Sequence, residues 1–584
     1  MLVPARAVVG ICALLALLPA CDQSSTFSLP PARDAASEFI DAWGTRDFES
    51  MRGLLTRASR ARYSARRLEQ VLHAALGPGG ITGFEVEGAG AVKEPAISSE
   101  EELRDAGRVT AQAPYSISYR SPAASAPARL SGTLPLRYDK ASQRWLVGWS
   151  KAALWPGISG ADHFEMGIRW LRRGTITDRS GRVLARGRAG NRNYPQGSLA
   201  GSTLGHIGKL GPHDLEGKPF YYRAGDLAGA SGLEQSYESR LAGVPATRLL
   251  VVGRRGRALE TLGRKKGRPG RKLTTTLDID VQRAAETAYG STVGGAVVVE
   301  PDSGNVLAVV SSSPFDPNNY VGATEVEPFN RALSGLYPPG SAMKVVTASA
   351  ALDSGEYSPS STVTGPKDYK GVVNFESGEF GSIPLRDALR FSVNTAFAQV
   401  AEDLGPKRMS KYAHSFGFNL QPHLGVGAAR SSFPRPQHLW DLMWGSIGQA
   451  EVLATPMEMS TVAATIANHG KRMQPRLSFL LEKRGTRVVS QRTAAQMNDM
   501  MQGVVSSGTG VGAQVPGVTV AGKTGTAEVD VGGERLNHAW FVAFAPATAP
   551  RVAIGLVSEY GGVGGKVAAP LAARMLAGVL PLVQ

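Results

Sequence analysis

Apolar and polar residues alternate in three ways along the chain, and each pattern predicts a different kind of element. In "ARDAASEFIDAW", Ala36, Phe39, Ile40 and Trp43 recur at helical spacing, which predicts a helix with one buried stripe. Arg52, Arg57, Arg60, Arg62, Arg66 and Arg67 follow in a single further helical stretch. "RVTAQAPYSISYR" and "ARLSGTLPLRY" then alternate in strand fashion. "YDKASQRWLVGWS" predicts a hairpin with Trp145, Val147 and Trp149 on one face. Helices followed by a curved antiparallel sheet predict a small α+β domain over 33–152, with its Trp and Phe residues in the core.

From 153 to 272 the composition turns Gly- and Arg-rich. "RRGTITDRSGRVLA" predicts strand, turn, strand, and "SGLEQSYESRLAG" a short helix with Leu233, Tyr237 and Leu241 on one side. This stretch is expected to be a linker domain holding a buried ion pair or two. From 273 to 584 strand and helix patterns alternate. "GGAVVVEPDSGNVLAVVSS" has the look of buried strands around a turn at Asp302–Asn305, and "HAWFVAFAP" and "RVAIGLVSEY" that of adjacent central strands. The fold class expected is therefore multidomain α+β, ending in a central sheet flanked by helices, and the length agrees with several cores rather than one.

Charge and cysteines add to this picture in a few places. The formal charge is +15, concentrated in the Arg-rich helical stretch and in a second cluster from Arg254 to Lys272. Neither cluster carries a zinc-ligand spacing, an aromatic RNA-binding signature or a helix-turn-helix pattern, so no nucleic-acid partner is expected. A solvated face, or contact with anionic lipid or wall polymer, accounts for them. At the N-terminus Arg6 precedes the short apolar run "AVVGICALLALLPA" and then Cys21. That predicts a signal segment over 1–20 ending in "LPAC", which resembles a lipoprotein cleavage box. Cys21 would be the lipid-bearing residue and 21–32 a polar tether; an uncleaved N-terminal anchor is the alternative. Cys12 lies inside the signal, so the mature chain has no internal disulfide.

The candidate chemistry begins at "YPPGSAMKVV". Ser341 and Lys344 stand three apart at a predicted helix start, where the helix dipole and burial both disfavour a protonated lysine. A neutral lysine can take the proton of the Ser341 hydroxyl and make it a nucleophile. In "RFSVNTAFAQVA", Ser392 and Asn394 open another apolar helix: a hydroxyl that can relay a proton and an amide that can orient the lysine. In "VTVAGKTGTAEV", Lys523, Thr524, Gly525 and Thr526 follow a β-rich run, giving a cation, hydroxyls and a flat backbone on an edge strand. Alone, these have ordinary explanations as a chance pattern, a helix cap and a strand ending in a turn. Together, in this order and with spacings of 51 and 131 residues, they are specific.

The set S-x-x-K, S-x-N, K-T-G resembles that of the penicillin-recognising serine enzymes. The chain is similar to class B penicillin-binding proteins, the peptidoglycan D,D-transpeptidases, with "RGTITDRSGRVLA" resembling their linker signature. "GSIGQAEVLATPMEMSTVAATIANHG" resembles the segment before K-T-G. The front domain resembles the NTF2-like module of the methicillin-resistance-type branch. The resemblance implies Ser341 as acylated nucleophile, Lys344 as general base and Ser392 as proton relay, with Asn394 positioning Lys344. It implies that Lys523 lowers the Lys344 pKa and, with Thr524 and Thr526 beside Gly525, attracts the donor carboxylate. The Ser341 and Thr526 N–H groups would hold the oxyanion. It also implies stem-peptide substrates, β-lactam acylation, no cofactor, no metal, a membrane-anchored extracytoplasmic location and a separate glycan polymerase as partner. D,D-carboxypeptidase, β-lactamase and non-catalytic sensor activities are alternatives, and a lactamase would need a water-activating carboxylate, for which Glu376, Glu379 and Glu451 are the candidates by position.

Overall fold

The computed structural model describes residues 27–322 and 329–583, so the signal segment and Cys21 lie outside the described residues. Among the described residues, contacts divide the chain into two units, one ending at Arg169 and including Ala246–Lys266, the other made of Trp170–Pro245 and the chain from Gly267 on.

In the first unit the helix Ala32–Thr45 buries Ala36, Phe39, Ile40 and Trp43, as its stripe predicts. The Arg-rich stretch is three helices rather than one, Phe48–Gly53, Arg57–Arg62 and Ala65–Leu76. Asp47, Thr56 and Ser64 each accept a backbone N–H three residues on, and each such cap starts a new helix. Strands Gly83–Gly88, Thr110–Arg120, Ala128–Asp139 and Arg144–Val147 form an antiparallel meander in chain order. Trp145, Val147 and Trp149 are buried, and Trp43 meets Trp149 edge-on at 6.1 Å.

Contacts between sheets cross the expected division after 152. Strands Ala161–Arg169, Ala246–Gly253 and Ala258–Lys265 form a second antiparallel sheet. Phe164, Met166, Leu249 and Val251 join the front core. Strand pairing across some eighty intervening residues leaves no mark in local pattern.

In the second unit, Ile176–Thr177 pairs with Val183–Ala185 around the predicted turn. "SGLEQSYESRLAG" is two short helices, Gly232–Ser236 and Glu238–Ala242, because Tyr237 leaves helical geometry. Behind them lies a buried charge network. Arg173 meets Glu234 at 2.7 Å and Glu238 at 2.6 Å, and Arg192 meets Glu234 at 2.6 Å. Arg173, Arg192 and Glu234 side chains are at most 3% exposed.

The rest of this unit is built on a five-stranded antiparallel sheet. Its order is Val306–Ser311, Gly294–Val299, Val552–Ser558, Glu534–Ala545, Ala521–Val531. The strands of "HAWFVAFAP" and "RVAIGLVSEY" are adjacent in it, and the strand carrying Lys523 lies at its edge. One face packs against Ile279–Tyr289 and Ala568–Val579, the other against the fully buried helix Pro456–Ala467. An all-helical layer made by Lys344–Asp353, Leu385–Arg390, Asn394–Phe416 and Gln491–Ser507 covers that second side. The site forms where this layer meets the edge strand.

Candidate active site

Ser341 sits half-buried in a tight 3-10 turn, Gly340–Met343, that leads directly into the helix Lys344–Asp353. Two prolines precede the turn, and the indole N–H of Trp540 donates to Pro338 O at 2.9 Å, fixing the approach. Gly340 has φ +54°, and a Cβ there would lie 2.6 Å from Thr526 O. No side chain can be carried at that point without pushing the serine turn off the K-T-G strand. From the other side the Gly340 N–H donates to Gly448 O at 2.9 Å, so a third segment clamps the turn.

Lys344 is fully buried. Its Nζ donates to Asn394 Oδ1 at 2.6 Å and Ser392 O at 2.7 Å, and reaches Ser392 Oγ at 3.3 Å. The Phe397 ring, 5.5 Å away, closes the apolar side. Lys523, also fully buried, donates to Ser392 Oγ at 2.9 Å and Thr524 O at 3.0 Å. The Ser392 hydroxyl thus bridges two buried amines. Burial, and then the charge of Lys523, push the Lys344 pKa well below the ordinary lysine range. Burial brings Lys523 down to about 7. Two short strong bonds to Asn394 and Ser392 O suit a neutral amine, which has two protons to donate and a lone pair left over.

The Ser341 hydroxyl has no hydrogen-bond partner among the described residues, so the resting Ser341–Lys344 contact suggested by their spacing is not a formed hydrogen bond. Bonds of this kind commonly tighten only when substrate arrives. Ser392 and Asn394 do not act as caps. Ser392 has φ +60°, held by N–H bonds from Ser392 to Leu389 O and from Val393 to Ala388 O. That left-handed conformation aims its hydroxyl at the lysines at a strain cost of about 1 kcal/mol. Asn394 spends its NH2 on Val373 O at 2.9 Å and its oxygen on Lys344, so its orientation is fixed from both ends.

On the edge strand, Thr524 Oγ1 lies 3.4 Å from Lys523 Nζ. Gly525 packs so tightly that a Cβ would meet Pro339 O at 2.6 Å. Thr526 Oγ1 accepts from the Gly564 N–H at 3.1 Å. The motif residues Ser341, Lys344, Ser392, Asn394, Lys523, Thr524, Gly525 and Thr526 therefore converge on one locus. Sequence reading misses Thr509, whose hydroxyl is 2.7 Å from that of Thr524 and extends the polar chain. Its only signal is a Gly-flanked position in "SGTGVG". Gly448 and the carbonyl of Val373 are missed as well. Glu376, Glu379 and Glu451 are all exposed. His538 is buried, and its Nδ1 accepts from the Tyr560 N–H at 3.2 Å, away from the lysines' bonds. Among the described residues no group of three or more His, Cys, Asp or Glu could hold a metal ion.

Comparison with known proteins identifies relatives along the described chain. Family models match in sequence order: an NTF2-like N-terminal transpeptidase domain over 31–162, a penicillin-binding protein dimerisation domain over 187–275, and a penicillin-binding protein transpeptidase domain over 294–577. A Mycobacterium tuberculosis protein named peptidoglycan D,D-transpeptidase PbpA is 33% identical over 358 residues, 53% of this chain and 73% of its own length. The chain belongs to the penicillin-binding protein transpeptidase family. A peptidoglycan D,D-transpeptidase MrdA of Acinetobacter baumannii is 28% identical over 435 residues. That match spans 65% of this chain and 64%, less than two thirds, of the Acinetobacter protein. Among solved structures, a ceftriaxone acyl-enzyme complex of M. tuberculosis penicillin-binding protein A matches with TM-score 0.56 at 29% identity, covering 70% of this chain and 98% of that one. As a family member, this chain places each of its three motifs on the element that lets it meet the other two.

Proposed function

We propose that this penicillin-binding protein cross-links peptidoglycan stem peptides through an ester on Ser341. The observation that supports the reading best is the pair of fully buried lysines joined through Ser392, since a dry site that keeps an amine neutral provides a base without a histidine. Neutral Lys344 takes the Ser341 proton as Oγ bonds to the penultimate D-Ala carbonyl carbon. The N–H groups of Ser341 and Thr526 stabilise the oxyanion. As the peptide C–N bond breaks, the proton passes from Lys344 through Ser392 to the departing D-Ala nitrogen. An acceptor amine then attacks the ester, gives its proton back through the same relay, and releases Ser341. Lys523, with Thr524 and Thr526, receives the donor carboxylate. A β-lactam follows the first half only: Oγ bonds to the lactam carbonyl, the ring C–N bond opens, and the nitrogen stays tethered, so the ester persists.

Transfer to an amine is favoured over rapid hydrolysis because the three carboxylates that position alone suggests are exposed. Cys21 is the lipid-bearing anchor that holds the protein at the outer face of the cytoplasmic membrane. Among the described residues no helix is long and apolar enough to cross one. A separate polymerase supplies the glycan strands. Incubating the protein with nascent glycan from such a polymerase tests the reading: D-Ala release with cross-linked dimers is expected. D-Ala release without dimers would make the chain a carboxypeptidase, and no release would make it a sensor or scaffold.

A further inference from the structure

We propose that the exposed basic side chains of the sheet Ala161–Arg169, Ala246–Gly253, Ala258–Lys265, from Arg169, Arg248 and Arg264 to the turn at Arg254–Arg257, form a docking surface for an anionic phospholipid bilayer. Leu249 and Val251 of the central strand enter the core beside Phe164 and Met166. Strand alternation therefore turns Arg248 outward, and its Nε comes within 3.7 Å of where a Cβ on Gly167 would sit. Arg264 is its direct cross-strand partner, and Arg169 stands opposite Ala246, two residues along the same face. Like charges directly opposite one another destabilise a sheet. A soluble domain has no structural reason to keep that pair.

The rest of the hairpin repeats the pattern. Residues 246–266 hold seven Lys or Arg against Glu260 alone. Arg254, Arg255 and Arg257 are exposed at its turn, and Arg264, Lys265 and Lys266 at its end. Among the described residues none of the seven forms an ion pair. Glu165, half-buried on the outer strand, shares the face of Arg248, whereas Glu260 lies opposite the core-facing Val251; among the described residues Glu165 forms no ion pair. In the Arg-rich helices of the same unit, Arg60 donates to Gly53 O and Leu55 O and Arg67 to Gln70 Oε1, none of them a carboxylate. The charge is left for something outside the chain.

A bilayer fits better than a free wall polymer because of where the chain enters this unit. Pro30 is fixed there by the Trp145 indole, which donates to its carbonyl at 2.7 Å. Cys21 precedes it by nine residues, a reach of about 30 Å when extended. A lipidated Cys21 therefore holds this unit within that reach of the headgroups, and stable attachment commonly combines an acyl anchor with a polybasic patch. This choice rests on the anchoring proposed at Cys21, and the experiment leaves that anchor out so that the two ideas fail separately.

The chain from Asp22 onward keeps every described core. It is sedimented with phosphatidylcholine vesicles, with or without phosphatidylglycerol, at low salt and at about 1 M salt, where the screening length falls to about 3 Å. Binding to the phosphatidylglycerol vesicles alone, lost in high salt, is expected. The Arg248→Ala, Arg264→Ala double variant should weaken partition about thirty-fold, with fluorescent-penicillin labelling unchanged. If that variant loses labelling, Arg254→Ala with Arg255→Ala and Arg257→Ala at the exposed turn replaces it and should lose more. Equal binding to both vesicles, absence of binding, variants that bind like the parent, or displacement by soluble teichoic acid at matched phosphate would overturn the proposal.

Discussion

Replacing Lys523 with methionine should stabilise the fold, and the gain should depend on pH in one direction. The amine is fully buried and its pKa falls from 10.5 to about 7. A lysine with a depressed folded pKa binds its proton more weakly in the folded state, so it penalises folding most where both states are charged. That penalty is whole below pH 7, shrinks between 7 and 10.5, and vanishes above. A shift of that size corresponds to about 5 kcal/mol below pH 7. The methionine fills a similar volume but leaves Ser392 Oγ short of its 2.9 Å donor, at a cost of about 1–3 kcal/mol that does not vary with pH. The net gain is about 2–4 kcal/mol at pH 6, reversing to a small loss near pH 9.5. In a unit of this size that difference moves the melting temperature by about 3–5 °C. Calorimetric melting of both proteins at the two pH values is the assay. A variant that is less stable at pH 6, or whose advantage does not change between the two values, would refute the burial argument and with it the neutral state of Lys344.

Other outcomes follow from the same geometry. The second-order rate of penicillin acylation should rise with pH as Lys344 loses its proton and fall above about 7 as Lys523 loses the charge that receives the carboxylate; a flat profile would separate the lysines from the chemistry. Asn394→Ala removes the 2.6 Å acceptor that fixes Lys344 and should lower that rate by about 10²-fold without altering the melting temperature by more than a few degrees. Gly340→Ala should abolish labelling while the protein stays folded, since its Cβ would meet Thr526 O. Glu234→Ala strands two buried arginines and should cost about 3–5 kcal/mol in denaturant unfolding, with acylation of the surviving folded fraction unchanged.

The parts of this molecule that were legible in sequence are those specified locally. Ala36, Phe39, Ile40 and Trp43 are one turn or less apart, and the hairpins at 139–144 and 301–305 are closed by neighbours. The three motifs are legible for the same reason, each being a short run on one turn or strand. What joins them is not local. Thr509 meets Thr524 across 15 residues and Gly448 meets Gly340 across 108, and no periodicity marks either contact. The left-handed backbone of Ser392 is equally hidden, because a serine ahead of an apolar helix looks like a cap whether or not it serves as one. The caps at Asp47, Thr56 and Ser64 were present in the sequence, but the continuous arginine face concealed the three breaks they make.

Mapping the covalent adduct tests the central claim most directly. The protein is treated with a penicillin, digested, and its peptides weighed, beside a Ser341→Ala control. A single drug-sized mass increment on the peptide carrying Ser341, absent from the control and long-lived in buffer, is the result predicted. An adduct on any other residue, or one that forms equally in the control, would contradict the account.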